Sequence, residues 1–514
     1  MNRNLKQHSV RGPFSALFAL LATMALIAGC SNSSDEVPSA AIPVAATTTY
    51  FATLTGPQEN PPVLTAASGN AIITVTPSTG QITATINSFG FTGNAAHIHL
   101  AEPGINGAVI VPMTQTAAGS GVWVTAANSV LTADQMTALN AGGLYVNVHS
   151  DLYAGGQIRG QIGRTVLTTQ LTGSQENPPT GSVATGSGTF SLDPVSRALS
   201  ARVVTSGVTA TAAHIHTAPI GTNAGVTVGF TQTAPGSGSW VPPAGTVLTA
   251  EQAQAFAAGG MYFNVHSTAF PGGEIRGQIG RDVLDVALAG ANEVPPVVGG
   301  GAATSRIIIN PLTRELTGTV TNVALPGTAA HIHGGLFGVN APVLIPTTLS
   351  AAGSSVWNFT PTTLTEAQYR SILFGNMYVN THSAAFPGGE ARTQTANIVR
   401  LGLLIGANEN PPSTSTATGR GRAELNPNTL DISIVVTTTG LTGAAAHLHL
   451  AAVGVNGPVI VPFTEGPPGT WSSAPGAKLT QAQAVAFASG GTYFNVHSAT
   501  FPGGEIRAQA TLLD

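Results

Sequence analysis

The run Ala95-Ala96-His97-Ile98-His99-Leu100 decides the fold class. Side chains alternate between faces along a β-strand, so residues two apart share a face. Ala96, Ile98 and Leu100 then make an apolar side, and His97 and His99 point the other way. A second run, Leu144-Tyr145-Val146-Asn147-Val148-His149, alternates in the same manner. Val146 and Val148 read as the core side, with Tyr145, Asn147 and His149 opposite. If the two strands are neighbours, three imidazoles converge on one non-core face.

Further strands extend from these two. Phe51–Thr55, Ala71–Thr76, Ile82–Ile86, Val109–Met113 and Ile158–Ile162 are short runs rich in β-forming residues, bounded by Gly, Pro, Asn or Ser. One helix interrupts them. Thr132 with Gln135 three residues on is a capping-box pattern, and Gly142-Gly143 is the stop. About seven antiparallel strands in a domain-sized unit predict a Greek-key sandwich.

The unit occurs four times. Ala96-His97-Ile98-His99 returns at Ala213–His216, Ala330–His333 and, with Leu448 for Ile, at Ala446–His449, at offsets of 117, 117 and 116 residues. The block Tyr145–Ser150 returns from Tyr262, Tyr378 and Tyr493. A Gly-Gly pair and an arginine follow it, as in Gly272-Gly273-Glu274-Ile275-Arg276. Each copy opens with a glutamate and a Pro-Pro pair, at Glu59, Glu176, Glu293 and Glu409, and holds one tryptophan. Repeats of this length are domains, each expected to bury its own core like beads on a string. The expected boundaries are 50–164, 165–281, 282–400 and 401–514.

Composition agrees with a folded chain. Of 514 residues, 43% are hydrophobic and only 8% charged, with a formal net charge of −4. Lys6 and Lys478 are the only lysines, so the basic footprint of a nucleic-acid binder is absent.

Residues 1–29 read as a targeting segment. Arg3, Lys6 and Arg11 precede the apolar run Phe14–Ala28, which ends in Leu26-Ile27-Ala28-Gly29-Cys30. This resembles the lipobox of bacterial lipoproteins, in which the cysteine is acylated and becomes the first mature residue. Cys30 is the sole cysteine. Its acylation would leave no thiol for a disulfide, a nucleophile or a metal ligand. Residues 30–49 read as a flexible Ser/Ala/Pro tether. Ser31 after the cysteine implies, by the same resemblance, outer-membrane sorting and a cell-envelope location.

Twelve of the 13 histidines fall three to a copy: His97, His99 and His149; His214, His216 and His266; His331, His333 and His382; His447, His449 and His497. Three imidazoles without cysteine suit copper or zinc, one ion per domain. Asn147, Asn264, Asn380 and Asn495 share the histidine face and are candidates to orient the ligands from behind. Glu274, Glu390 and Glu505, two residues before an arginine, read as surface ion pairs. Glu59 and its equivalents are the better carboxylate candidates. The Gly-x-Asn stretches at Gly104–Asn106, Gly221–Asn223, Gly338–Asn340 and Gly454–Asn456 read as turns, and the tryptophans as packing residues.

Taken together, Ala-His-Ile-His, the Gly-x-Asn turn, Leu-Thr before a short helix, Tyr-Val-Asn-Val-His-Ser and Gly-Gly-x-Ile-Arg-Gly-Gln resemble the CHRD domain, first described in the extracellular protein chordin. The resemblance runs from about Tyr50 to Asp514. It departs in the third copy at Thr381, where the others have Val, and at Thr393, where the first two have Gly. It implies an extracellular setting and no particular reaction. His-x-His on a sandwich strand is also similar to copper/zinc superoxide dismutases. Those enzymes need a fourth copper histidine and a zinc loop, which these copies lack.

The expectation is an all-β chain of four tandem Greek-key β-sandwiches, immunoglobulin-like or dismutase-like, each with one short helix. Three functional readings follow. The first is a lipid-anchored binding protein with a three-histidine copper or zinc site per domain. The second is a structural or adhesive module whose histidines only pack and whose surfaces meet a protein or glycan. The third is a metal-dependent enzyme. The third has the least support, because no nucleophile–base–acid set, phosphate loop or nucleotide fingerprint is present.

Overall fold

The computed structural model describes residues 46–323 and 327–512. The targeting segment and Cys30, with most of the tether, lie outside the described residues.

The first repeat contains eight strands: β1 (Thr48–Thr55), β2 (Ser68–Thr76), β3 (Gln81–Phe89), β4 (Ala95–Leu100), β5 (Ala108–Gln115), β6 (Val122–Thr125), β7 (Leu144–His149) and β8 (Ile158–Gln161). The sequence reading lacks only β6. Helix α1 (Ala133–Ala141) lies between β6 and β7. Its capping box is formed, with Thr132 accepting from the Gln135 N–H and the Gln135 side chain accepting from the Thr132 N–H. Gly142 ends it in the left-handed region, at φ 78°, where a glycine pays no Cβ penalty. The same box caps the helices at Thr249, Thr365 and Thr480.

The strands run in the order β1-β2-β3-β6-β5-β4-β7-β8. Hairpins join β4, β5 and β6. The chain then passes through α1 and returns beside β4 as β7, which is the Greek-key connection. The sheet also closes on itself, because β1 meets β8 through the pair Thr55 and Arg159. This is a single residue pair, against eight between β1 and β2. The two layers of the expected sandwich are thus joined at their edges into a barrel, with a closure far shorter than the other pairings. The second and fourth repeats form the same closed barrel. The third has the same ring of eight with a two-residue strand, Thr362–Thr363, added.

Alternation works as expected on the inner face: Ala96, Ile98, Val146 and Val148 are completely buried. Leu100, at the end of β4, is instead 40% exposed. Each tryptophan is buried, Trp123 on β6 donating to the Ser88 hydroxyl.

The repeats are not isolated beads. Each has its own apolar core, but Phe337 of the third repeat sits in the fourth's, and Ala66 of the first sits in the third's. Arg164 of the first pairs with Asp193 of the second at 2.8 Å.

Candidate metal centre

Register places the histidines. Between β4 and β7, Ala95 faces His149, His97 faces Asn147 and His99 faces Tyr145. The three imidazoles of the first repeat therefore come together on the outer side of these two strands. One nitrogen from each ring lies within 4.8 Å of the others, and the same holds for the other three triads.

The tautomers of two rings follow from their partners. His99 Nδ1 lies 2.9 Å from the Gly107 carbonyl, and His149 Nδ1 lies 2.9 Å from the Ala154 carbonyl. A carbonyl only accepts, so each Nδ1 carries the proton and each Nε2 keeps a lone pair. The arrangement recurs at the same spacings in every repeat. His216, His333 and His449 donate to Ala224, Ala341 and Gly457. His266, His382 and His497 donate to Pro271, Pro387 and Pro502. The Nε2 atoms of His99, His216, His333 and His449 are buried with no hydrogen-bond partner.

The remaining ring turns its Nδ1 inward. His97 Nδ1 lies 3.1 Å from His149 Nε2, and His214 Nδ1 lies 3.2 Å from His266 Nε2. In the third and fourth repeats the corresponding atoms of His331, His382, His447 and His497 have no partner at all. Buried, unpaired lone pairs aimed at one point are costly unless something fills that point.

Burial pushes His97, His99 and His149 below the ordinary histidine value, and repulsion between imidazolium charges adds to this at His97 and His99. His331 and His449 are pushed down to about 4. These five rings are therefore neutral at neutral pH, the form in which imidazole binds a metal.

A second layer holds the first. His99 stacks on Tyr145, with centroids 4.7 Å apart and planes 7° apart. The Arg159 guanidinium lies 3.5 Å from the centre of the same tyrosine ring. Tyr145 Oη accepts from the Gly107 N–H, while Arg159 donates to the Ile105 and Glu102 carbonyls. Together they pin the loop whose Gly107 carbonyl orients His99. The stack and the cation–π contact recur at Tyr262, Tyr378 and Tyr493. The Gly-x-Asn turns belong to this layer: Asn223 accepts from Arg276, and the Asn106 side chain donates to the Asn60 carbonyl. The non-core face of β7 is accordingly covered too, with Tyr145 and Asn147 buried like the neighbouring Val146 and Val148.

Asn147 lies opposite His97, but the partner the structure gives it is Glu59. Its amide donates to the two carboxylate oxygens at 2.9 and 3.0 Å, and its Oδ1 has no partner. Asn264 and Asn380 likewise donate to Glu176 and Glu293. Glu59 is buried and pushed up to about 8, because desolvation outweighs the Arg159 charge and the Asn147 hydrogen bond. Glu176, Glu293 and Glu409 are pushed up to about 7. Gly156 covers the pair. A Cβ there would lie 2.4 Å from Asn147 Nδ2 and 2.7 Å from Glu59 Oε1. None of these glutamates belongs to the converging ligand atoms.

The expected surface ion pairs do not form. Glu274 is buried and accepts from Ser182, and Arg276 donates to Asn223 and to the carbonyls of Thr222 and Pro219. Because both side chains are buried, each takes the nearest fixed dipole. In the first repeat Gln157 donates to Thr65 instead.

The fold and centre define a class: a four-domain all-β chain with one three-histidine cluster per domain. Residues 50–162, 167–279, 284–395 and 402–510 each match the CHRD domain, and the chain belongs to that family. No curated protein matched the chain.

Proposed function

We propose that each CHRD domain is a metal-binding module in which three imidazoles hold one copper or zinc ion. The carrying observation is the convergence of one nitrogen from each of three imidazoles, two of the three rings being locked by backbone carbonyls in all four repeats. Hydrogen-bonded ligand histidines of this kind are the usual support of a metal site. His97, His99 and His149, and their counterparts in the other repeats, are the ligands. Tyr145 and Arg159 orient them through the 101–107 loop.

In this reading the chain is exported and held in the cell envelope by lipid on Cys30, at the outer membrane. The support is the lipobox-like run and the uniqueness of Cys30. Its exposed surfaces are free to meet a protein or glycan, and nucleic acid is not a partner.

One observation favours the purely structural module. In the first two repeats the His97–His149 and His214–His266 nitrogens are close enough to hydrogen-bond to each other. Only the convergence, and not that bond, is common to all four repeats.

Calorimetric titration of the full chain tests the two. Copper(II) or zinc(II) should bind with a dissociation constant below about 10 µM, or roughly −7 kcal/mol. Unchanged binding in the His99→Ala/His216→Ala/His333→Ala/His449→Ala variant, with lost stability regardless of metal, would establish the structural reading instead.

A further inference from the structure

We propose that each centre keeps one coordination position open to solvent and that a small anion fills it, so that the metal-loaded domain is an anion receptor. This rests on the three-histidine reading above.

Three imidazoles are the whole set of histidine, cysteine and carboxylate donors at each centre. Among the described residues the groups of His, Cys, Asp and Glu ligand atoms within 4.8 Å of one another stop at three in every repeat. Zinc and copper take four or more donors, and sites with three protein ligands complete their sphere with water or substrate.

The β5 side chains opposite the histidines do not supply the missing donor. On β5 the residues opposite His99 and His97 are Val109 and Pro112, which have no donor atom. Val226 and Gly229, Val343 and Pro346, and Val459 and Pro462 take those places in the other repeats. The four valines are all exposed, so this side of the centre is uncovered and apolar. On β7, Tyr145 is held between His99 and Arg159 and accepts from the Gly107 N–H. Asn147 turns its amide N–H toward Glu59, and its Oδ1 is buried without a partner. In the second repeat both amide atoms of Asn264 lie against Gly273, 2.7 Å from where a Cβ would stand.

Charge selects the occupant. Neutral imidazoles leave a divalent ion's charge uncompensated. The nearest fixed cation, Arg159, is buried beneath Tyr145, and Glu59 is outside the ligand set. A centre with net positive charge and an uncovered face attracts an anion. His97 and His149 remain partly exposed, so the approach is from solvent and not through the barrel.

The test uses the full chain loaded with copper(II) in chloride-free buffer and titrated with sodium azide. The readouts are electron paramagnetic resonance and the azide-to-copper charge-transfer absorption. The expected result is saturable binding of about one azide per bound copper, absent in the variant with His99, His216, His333 and His449 all replaced by alanine. Copper bound at about four ions per chain with spectra that azide leaves unchanged would overturn the open position while sparing the three-histidine site. Failure to take up copper or zinc would overturn the site itself and this inference with it.

Discussion

His99 lies flat against Tyr145, ring over ring at 4.7 Å, and the tyrosine hydroxyl reaches past it to the Gly107 N–H, next to the carbonyl that fixes the histidine's tautomer. One side chain therefore both sets the ring plane and holds the loop that sets the proton. Tyr145→Phe keeps the stack and removes only the acceptor. It should lower the stability of the first domain by about 1 kcal/mol and weaken metal binding in that domain alone. Thermal unfolding and metal titration of the full chain check both effects.

Gly273 stands where no side chain fits. Its φ is 133° and a Cβ would meet Glu176 Oε1 at 2.6 Å. Gly273→Ala should cost about 2 kcal/mol or more in the second domain. The neighbouring Gly272, with nothing within 4 Å of its Cβ position, should tolerate alanine. Comparing the two by calorimetry separates this clash from a general intolerance of the loop.

The third repeat carries a flaw at one strand position. Thr381 is completely buried and its hydroxyl has no partner, where Val148, Val265 and Val496 fill the same place. An unpaired buried hydroxyl costs about 1 kcal/mol or more. Thr381→Val should therefore stabilise that domain by about 1 kcal/mol, seen as a rise in its unfolding midpoint. The other departure, Thr393, donates to Asn428 of the fourth repeat at 3.0 Å. Thr393→Gly should loosen that contact without touching the centre.

Stability of the metal-free chain should fall at both ends of the pH scale. The depressed histidines bind fewer protons folded than unfolded. Their contribution is present above about 6.5 and is lost as pH falls toward about 4, where His331 and His449 titrate in the folded chain. The buried glutamates act in the opposite sense. Raised to about 7 or 8, they bind more protons folded than unfolded, so their contribution is lost as pH rises through that range. Replacing Glu59, Glu176, Glu293 and Glu409 by glutamine should flatten the alkaline fall and leave the acid one. Melting temperatures from pH 4 to pH 9 decide it, and an unaltered alkaline slope would count against the buried carboxylates.

Much of this was legible from local pattern. The alternation in Ala95–Leu100 and Leu144–His149 is a property of neighbouring residues, so the strands, their inner face and the shared histidine face follow from it. Tyr145 lay in the same two-residue rhythm as His149, and that rhythm is the signal by which its place beside the centre could have been found. Glu59 and Asn147 are 88 residues apart in sequence, and only the barrel brings them together. Gly156 reads as a turn glycine until the pair beneath it is seen. Strand β6 escapes notice because it has four residues and starts directly after a glycine. The closure through Thr55 and Arg159 is a single ladder pair, too short to mark either strand's sequence. Arg159 looks like a surface charge in a strand pattern, yet it is among the most buried side chains, because its partners are carbonyls from a distant loop.

Each histidine triad should hold one metal ion. The most direct measurement is the number of copper or zinc ions bound per full chain as His99, His216, His333 and His449 are replaced by alanine one after another. The expected result is a staircase, from about four ions to none, with each step removing one ion. A chain that binds no metal, or one whose count is indifferent to these substitutions, would contradict it.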